Sequence, residues 1–207
     1  LYDIRCVDDS GTHIPSGYDR MAARNHTDVQ SGKYLMKSGS YPPIIPSYTY
    51  RRDFLNEHNL RMKPMWHEDE EMTPRALYYA KRVKVIPLTV YNYVQHENSF
   101  INSYKPENFE HVIMAMKSLS EFALSIESSD PDGAALIRKR VSRITMHFLR
   151  RLAKTDLEAT KKYITVARDE GVLPLYNRPF KFRGMLLNNF PGIFVDSYKF
   201  RNKKNRR

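Results

Sequence analysis

Glu68-Asp69-Glu70-Glu71 sets four carboxylates in consecutive positions directly behind Trp66-His67. An ionised carboxylate can take a proton from a hydroxyl, so the run offers a general base. Thr73-Pro74 follows and reads as the start of a helix from Pro74 to Arg82. Threonine is a fair N-cap, and proline at the first helical position loses only an N–H that would be unpaired there. On this reading the acids lie at the mouth of the helix, where the positive end of its dipole favours negative charge. Position alone admits two roles: the carboxylates cap a helix and face water, or one of them is a base beside Trp66 and His67. A third use, a hydrolase metal centre of His67, Glu68 and Asp69, is disfavoured. Adjacent residues on one extended segment point in different directions and seldom converge on one ion.

The elements around the run change character near residue 105. Residues 1–105 read as mixed α and β with many turns. Tyr2–Val7 reads as a strand, and Asp8-Asp9-Ser10-Gly11 is a turn signal. Ser38–Pro43 is a loop, because consecutive prolines admit neither helix nor central strand. Ile44–Tyr50 looks extended, and a short helix is predicted from Phe54 to His58. Lys84–Val94 is rich in β-branched and aromatic residues and reads as a strand, with Pro87 at an edge or bulge.

From residue 106 to 207 the pattern is helical. Phe109, Val112, Ile113, Met116, Leu119, Ala123 and Ile126 keep the rhythm of one helix face. Asp130-Pro131 opens a second helix to about Ala153, with Ile137, Val141, Ile144, Phe148 and Leu152 on one side. Thr155-Asp156-Leu157-Glu158 reads as a capping box with Thr155 at the N-cap, and Gly171 stops the helix that follows.

The balance is basic: 34 Lys plus Arg against 23 Asp plus Glu, a formal net charge of +11. Such a surface suits nucleic acid, anionic lipid or a phosphate-bearing substrate. The 41% hydrophobic content supports a packed core and argues against global disorder. A single cysteine, Cys6, excludes an internal disulfide and fits a reducing compartment. No apolar run approaches the roughly 20 residues a membrane span needs. The segment 178–207 carries nine basic residues and one acid, Asp196, interleaved with aromatics such as Phe182, Phe190 and Phe194. That composition describes either a segment lying on an anionic membrane surface or helices folding their aromatics inward. Without an RRM, KH or helix-turn-helix signature, nucleic acid is set aside as a partner.

Four segments follow one another along the chain. They are Tyr48-Thr49-Tyr50-Arg51-Arg52-Asp53-Phe54-Leu55, then Leu60-Arg61-Met62, then Trp66–Glu71, and finally Ala80–Val83 with Tyr91–Ser99. In this the chain resembles bacterial family-two glycosyltransferases of the GT-A fold, over about residues 30–105. The resemblance implies an α/β architecture for 1–105, an incomplete, Rossmann-like acceptor-side portion, followed by a helical C-terminal region, 106–207. It implies inverting transfer of a sugar from a nucleotide-sugar donor to a glycan or polyprenyl-linked acceptor in surface polysaccharide assembly. Asp69 would be the base, with Glu68 beside it binding the acceptor or orienting the site. His67 would be an acceptor contact, Arg51 or Arg52 a phosphate contact, and His96 and Ser99 would close over the diphosphate. Gln95-His96 stands where the family carries an arginine. A divalent metal, Mg or Mn, is implied for the complete enzyme. Its ligands are expected mostly outside this chain, because no nucleotide-binding region ending in D-x-D comes before residue 1. The expectation is a cut chain, inactive alone, placed in the cytoplasm at the inner membrane face. The alternative is a noncatalytic basic module that docks a membrane or partner through 130–207.

Overall fold

The computed structural model describes residues 1–15, 28–39, 41–95, 108–176 and 181–204. His96 and Ser99 lie outside them. The chain divides into two units, Leu1–Lys63 with Glu68–Tyr104, and Pro64–His67 with Lys105–Arg207.

In the first unit, strand β1 (Tyr2–Val7) buries Ile4 and Cys6 on one face and Asp3 and Val7 on the other. Three short elements follow: β2 (Val29–Gln30), helix α1 (Gly32–Ser38) and helix α2 (Arg52–Glu57). Ile44–Tyr50, expected to be extended, turns instead through a 3-10 segment at Ile45–Ser47. There Tyr48 N–H donates to the Ile45 carbonyl at 3.0 Å. Helix α3 (Glu68–Tyr79) is followed by β3 (Val83–Lys84) and β4 (Ile86–Val94).

β1 pairs with β4 in parallel, Ile4 opposite Tyr91 and Val7 opposite Val94. The register slips at Tyr2/Asp3 and Asp3/Ile4, opposite the stretch that contains Pro87. A proline has no N–H for a ladder and is accommodated where pairing is interrupted. β2 and β3 make a two-residue antiparallel pair.

This overturns the expected α/β, Rossmann-like fold. A doubly wound fold needs a multi-stranded parallel sheet with helices over both faces. Among the described residues the parallel sheet has two strands, and helices account for 60% of those residues. β4 leaves Leu88, Val90, Tyr91 and Val94 exposed rather than buried under a helical layer. Strand-forming composition at 2–7 and 84–94 was read correctly. It does not state how many strands assemble around them.

Two small apolar clusters can be named among the described residues of this unit. Leu60, Met72 and Ala76 form one, covered by Tyr50, Phe54 and Tyr79, and Leu1 and Val85 form the other. α1 meets α3 end to end: Gly32 N–H donates to the Ala80 carbonyl at 2.8 Å. One bond thereby satisfies an orphan donor of one helix and an orphan acceptor of the other. A Cβ at Gly32 would lie 2.0 Å from the Leu77 carbonyl oxygen, so glycine is required for the approach.

The second unit is built from helices α4 (Asn108–Ile126), α5 (Pro131–Thr155), α6 (Leu157–Asp169), α7 (Lys181–Asn189) and α8 (Pro191–Lys204). Phe109, Met116 and Leu119 of α4 are buried with Ile137, Met146 and Leu149 of α5, Tyr163 of α6, Leu187 of α7 and Phe194 of α8. Phe109 and Tyr163 rings pack with centroids 5.2 Å apart. Asp130 caps α5 through Gly133 N–H at 3.0 Å, as the Asp-Pro pair predicts. The cap of α6 is Asp156, which accepts from Ala159 N–H at 2.9 Å, and not Thr155. Thr155 is the last residue of α5, its hydroxyl donating to the Leu152 carbonyl. Gly171, at φ 70, follows α6.

Candidate functional site

α3 begins at Glu68, so the four acids form its first turn instead of preceding it. Carboxylates complement the unpaired N–H groups and positive dipole end of a first turn. Thr73 and Pro74, expected to start the helix, are buried inside it. Pro74 has no N–H to give the Glu70 carbonyl four residues back. Acidic residues at the helix start and burial of the Thr73–Leu77 face outweigh that loss.

Within the turn the acids have different surroundings. Glu71 is fully buried, and its carboxylate takes Arg75 Nη2 at 2.6 Å and Lys63 Nζ at 3.6 Å. Its expected role of solvent-facing cap is therefore replaced by that of a buried ion-pair centre. Asp69 is half-buried, and its Oδ1 accepts the Glu70 backbone N–H at 2.7 Å. Glu68 is also half-buried. These two carboxylates share one helical turn and keep access to solvent.

Trp66 and His67 belong to the second unit. The Trp66 ring packs on His111 with centroids 4.6 Å apart, and its backbone N–H donates to His111 Nδ1 at 3.4 Å. His67 meets the ring of Phe148 edge-on at 5.0 Å. Burial, and secondarily the nearby His111, pushes the His67 imidazole down to about 4, so it is neutral at pH 7. His67 also has φ 66, a left-handed conformation rare for a non-glycine residue, one position before the acids begin.

Arg51 and Arg52 are not gathered with the acids. Arg51 is the exposed N-cap of α2 and Arg52 its first residue. Arg51 lines a cleft of about 540 Å³ with Tyr48, Tyr50, Phe54, His58 and Tyr79. This cleft lies against the C-terminal end of α3, about 15 Å along the helix from Asp69 at 1.5 Å per residue. Two ring stacks shape it, Tyr48 on Tyr50 at 5.5 Å and His58 on Tyr79 at 4.2 Å. Burial raises the Tyr50 hydroxyl to about 12, with Thr73 acting against it, so the ring stays neutral. His58 and Tyr79 were not singled out from the sequence. Phe54 and His58, four apart on one helix face, were the available signal.

Asp8 uses one carboxylate oxygen to hold the Asp8-Asp9 turn. Asp8 Oδ1 accepts from Ser10 N–H at 2.9 Å, Ser10 Oγ at 2.6 Å and Thr12 N–H at 2.8 Å. These bonds hold the Asp8 carboxyl below its ordinary range. Among the described residues no cluster of three or more His, Cys, Asp or Glu is arranged to hold a metal ion. No family model, no curated protein and no solved structure matches the chain.

Proposed function

We propose that the chain supplies the acceptor-activating part of an inverting glycosyltransferase, with Asp69 as the general base. The acceptor hydroxyl oxygen attacks the anomeric carbon of a nucleotide-sugar and a new C–O bond forms. The bond to the diphosphate oxygen breaks, and the nucleoside diphosphate leaves with the electron pair. The hydroxyl proton passes to Asp69, and Glu68 holds the acceptor beside it. The acceptor is a glycan or a lipid-linked glycan. Transfer is expected only from a protein that also supplies a complete nucleotide-sugar site.

The observation that carries this reading is the division of labour within one turn of α3. Glu71 is fully buried with Arg75 and Lys63, and Asp69 and Glu68 are half-buried side by side in the same turn. Asp69→Asn in a transfer-competent protein should lower kcat by about 10² to 10⁴ with the far-UV circular dichroism unchanged. Transfer at the parental rate would overturn the assignment.

A second reading, a noncatalytic basic unit docking an anionic membrane, is favoured by one feature of 178–207. Leu186, Leu187, Phe194 and Tyr198 are buried, yet Phe182, Phe190 and Ile193 are 65%, 53% and 56% exposed. Among the described residues no helix is long and apolar enough to cross a membrane, so such docking would be interfacial.

A further inference from the structure

The cleft at the C-terminal end of α3 has a chemistry that proton transfer at Asp69 does not use. Its volume, about 540 Å³, is that of a small-molecule site. Its walls combine three kinds of group. Tyr48, Tyr50 and Tyr79 bring ring surface organised by the two stacks. Arg51, Lys81, Arg82 and Lys84 bring fixed positive charge, all four exposed to solvent. Asp53 and Glu57, also exposed, bring carboxylates to the same cleft.

Each kind restricts the ligand. Aromatic faces in a concave site take a flat or weakly polar ligand face. Two arginines and two lysines select an anionic group, with the planar guanidinium matching phosphate or carboxylate. The two acids accept hydrogen bonds from neutral hydroxyls, while the lining as a whole stays net positive. A polyanion such as single-stranded nucleic acid prefers an aromatic groove of uniformly positive charge. The ligand that meets all three conditions has ring faces, many hydroxyls and an anionic group.

We propose that this cleft binds an anionic saccharide, its pyranose face on the tyrosine walls, its hydroxyls on Asp53 and Glu57, and its phosphate or carboxylate on Arg51 and Lys81. The cleft is at the far end of α3 from Asp69, so this site holds or fails independently of the transferase reading.

Saturation-transfer NMR on the intact chain tests it, with glucose 1-phosphate and glucuronic acid as probes. Methyl α-glucoside, inorganic phosphate and uridine monophosphate serve as comparisons. Ring-proton saturation is expected for both anionic sugars if either anion suffices, and for one alone if the site distinguishes phosphate from carboxylate. Arg51→Gln should weaken binding about tenfold, the loss of one charge-assisted bond. Lys81→Gln should weaken it in the same direction. Arg51 makes no side-chain bond as the α2 cap, so its substitution leaves the helix start intact. Tyr48→Leu should remove the ring-proton saturation. Four outcomes would overturn the proposal: no saturation from either anionic sugar, full displacement by inorganic phosphate at equal concentration, tighter binding of uridine monophosphate than of glucose 1-phosphate, or unchanged affinity in both charge variants.

Discussion

His67 combines a left-handed backbone with a buried, neutral imidazole. The backbone conformation costs roughly 1–2 kcal/mol, which the packing of the ring on Phe148 helps to offset. The imidazole makes stability pH-dependent with a defined sign. Its ordinary value is 6.5 and its value in the fold is about 4. Between the two, the unfolded chain binds a proton that the folded chain refuses, so the contribution is complete above pH 6.5 and is lost as pH falls toward 4. His147, also lowered by burial and by Arg151, Arg150, Arg140 and Lys154, adds a change of the same sign. The urea midpoint should therefore drop between pH 7.5 and pH 4.5, and drop less in His67→Gln. Equal drops would remove His67 from this role. At this scale the acidic run was legible; the Glu71–Arg75 pair was not, because a helix expected to start at Pro74 leaves Glu71 outside it. The full burial of Glu71 was not, because Thr73, Pro74 and Leu77 had to be known to face inward first.

At the scale of elements, α1 and α3 are joined where only a glycine fits. In Gly32→Ala the new Cβ would meet the Leu77 carbonyl at 2.0 Å, a backbone atom that cannot rotate away. Separation of the two helices also strains the bond from Gly32 N–H to the Ala80 carbonyl. The expected loss is about 1–3 kcal/mol of overpacking, read as a lower denaturant midpoint. An unchanged midpoint would mean that α1 is not docked as described. The starts of α3 and α6 show why helix ends were misread. Thr73-Pro74 is a good local start, but four acids upstream make an earlier one, and the interior proline is tolerated. Thr155 and Asp156 are both competent caps at adjacent positions, and α5 continues far enough to take Thr155 as its own last residue. Where a single capping signal stood alone, as at Asp130-Pro131, it was sufficient.

At the scale of the molecule, a net charge of +11 and a helical unit with exposed Phe182, Phe190 and Ile193 suit an anionic surface. The chain should float with vesicles containing anionic lipid and remain behind with neutral ones. Replacing those three residues together by Ser should lower the floated fraction several-fold while leaving thermal unfolding unchanged, since none is buried. Equal flotation on both vesicle types would remove the membrane reading. The sequence by itself determined the helices of 108–169, the strand character of 2–7 and 84–94, the Asp130 cap and the Gly171 stop. Each depends on residues within a few positions of one another, where propensity and periodicity act. Only the tertiary structure decided that Tyr2–Val7 pairs with Ile86–Val94, that His58 stacks on Tyr79, and that Trp66 packs on His111. These partners lie tens of residues apart. An apolar or aromatic face records that it must be covered, and carries no local mark of what covers it.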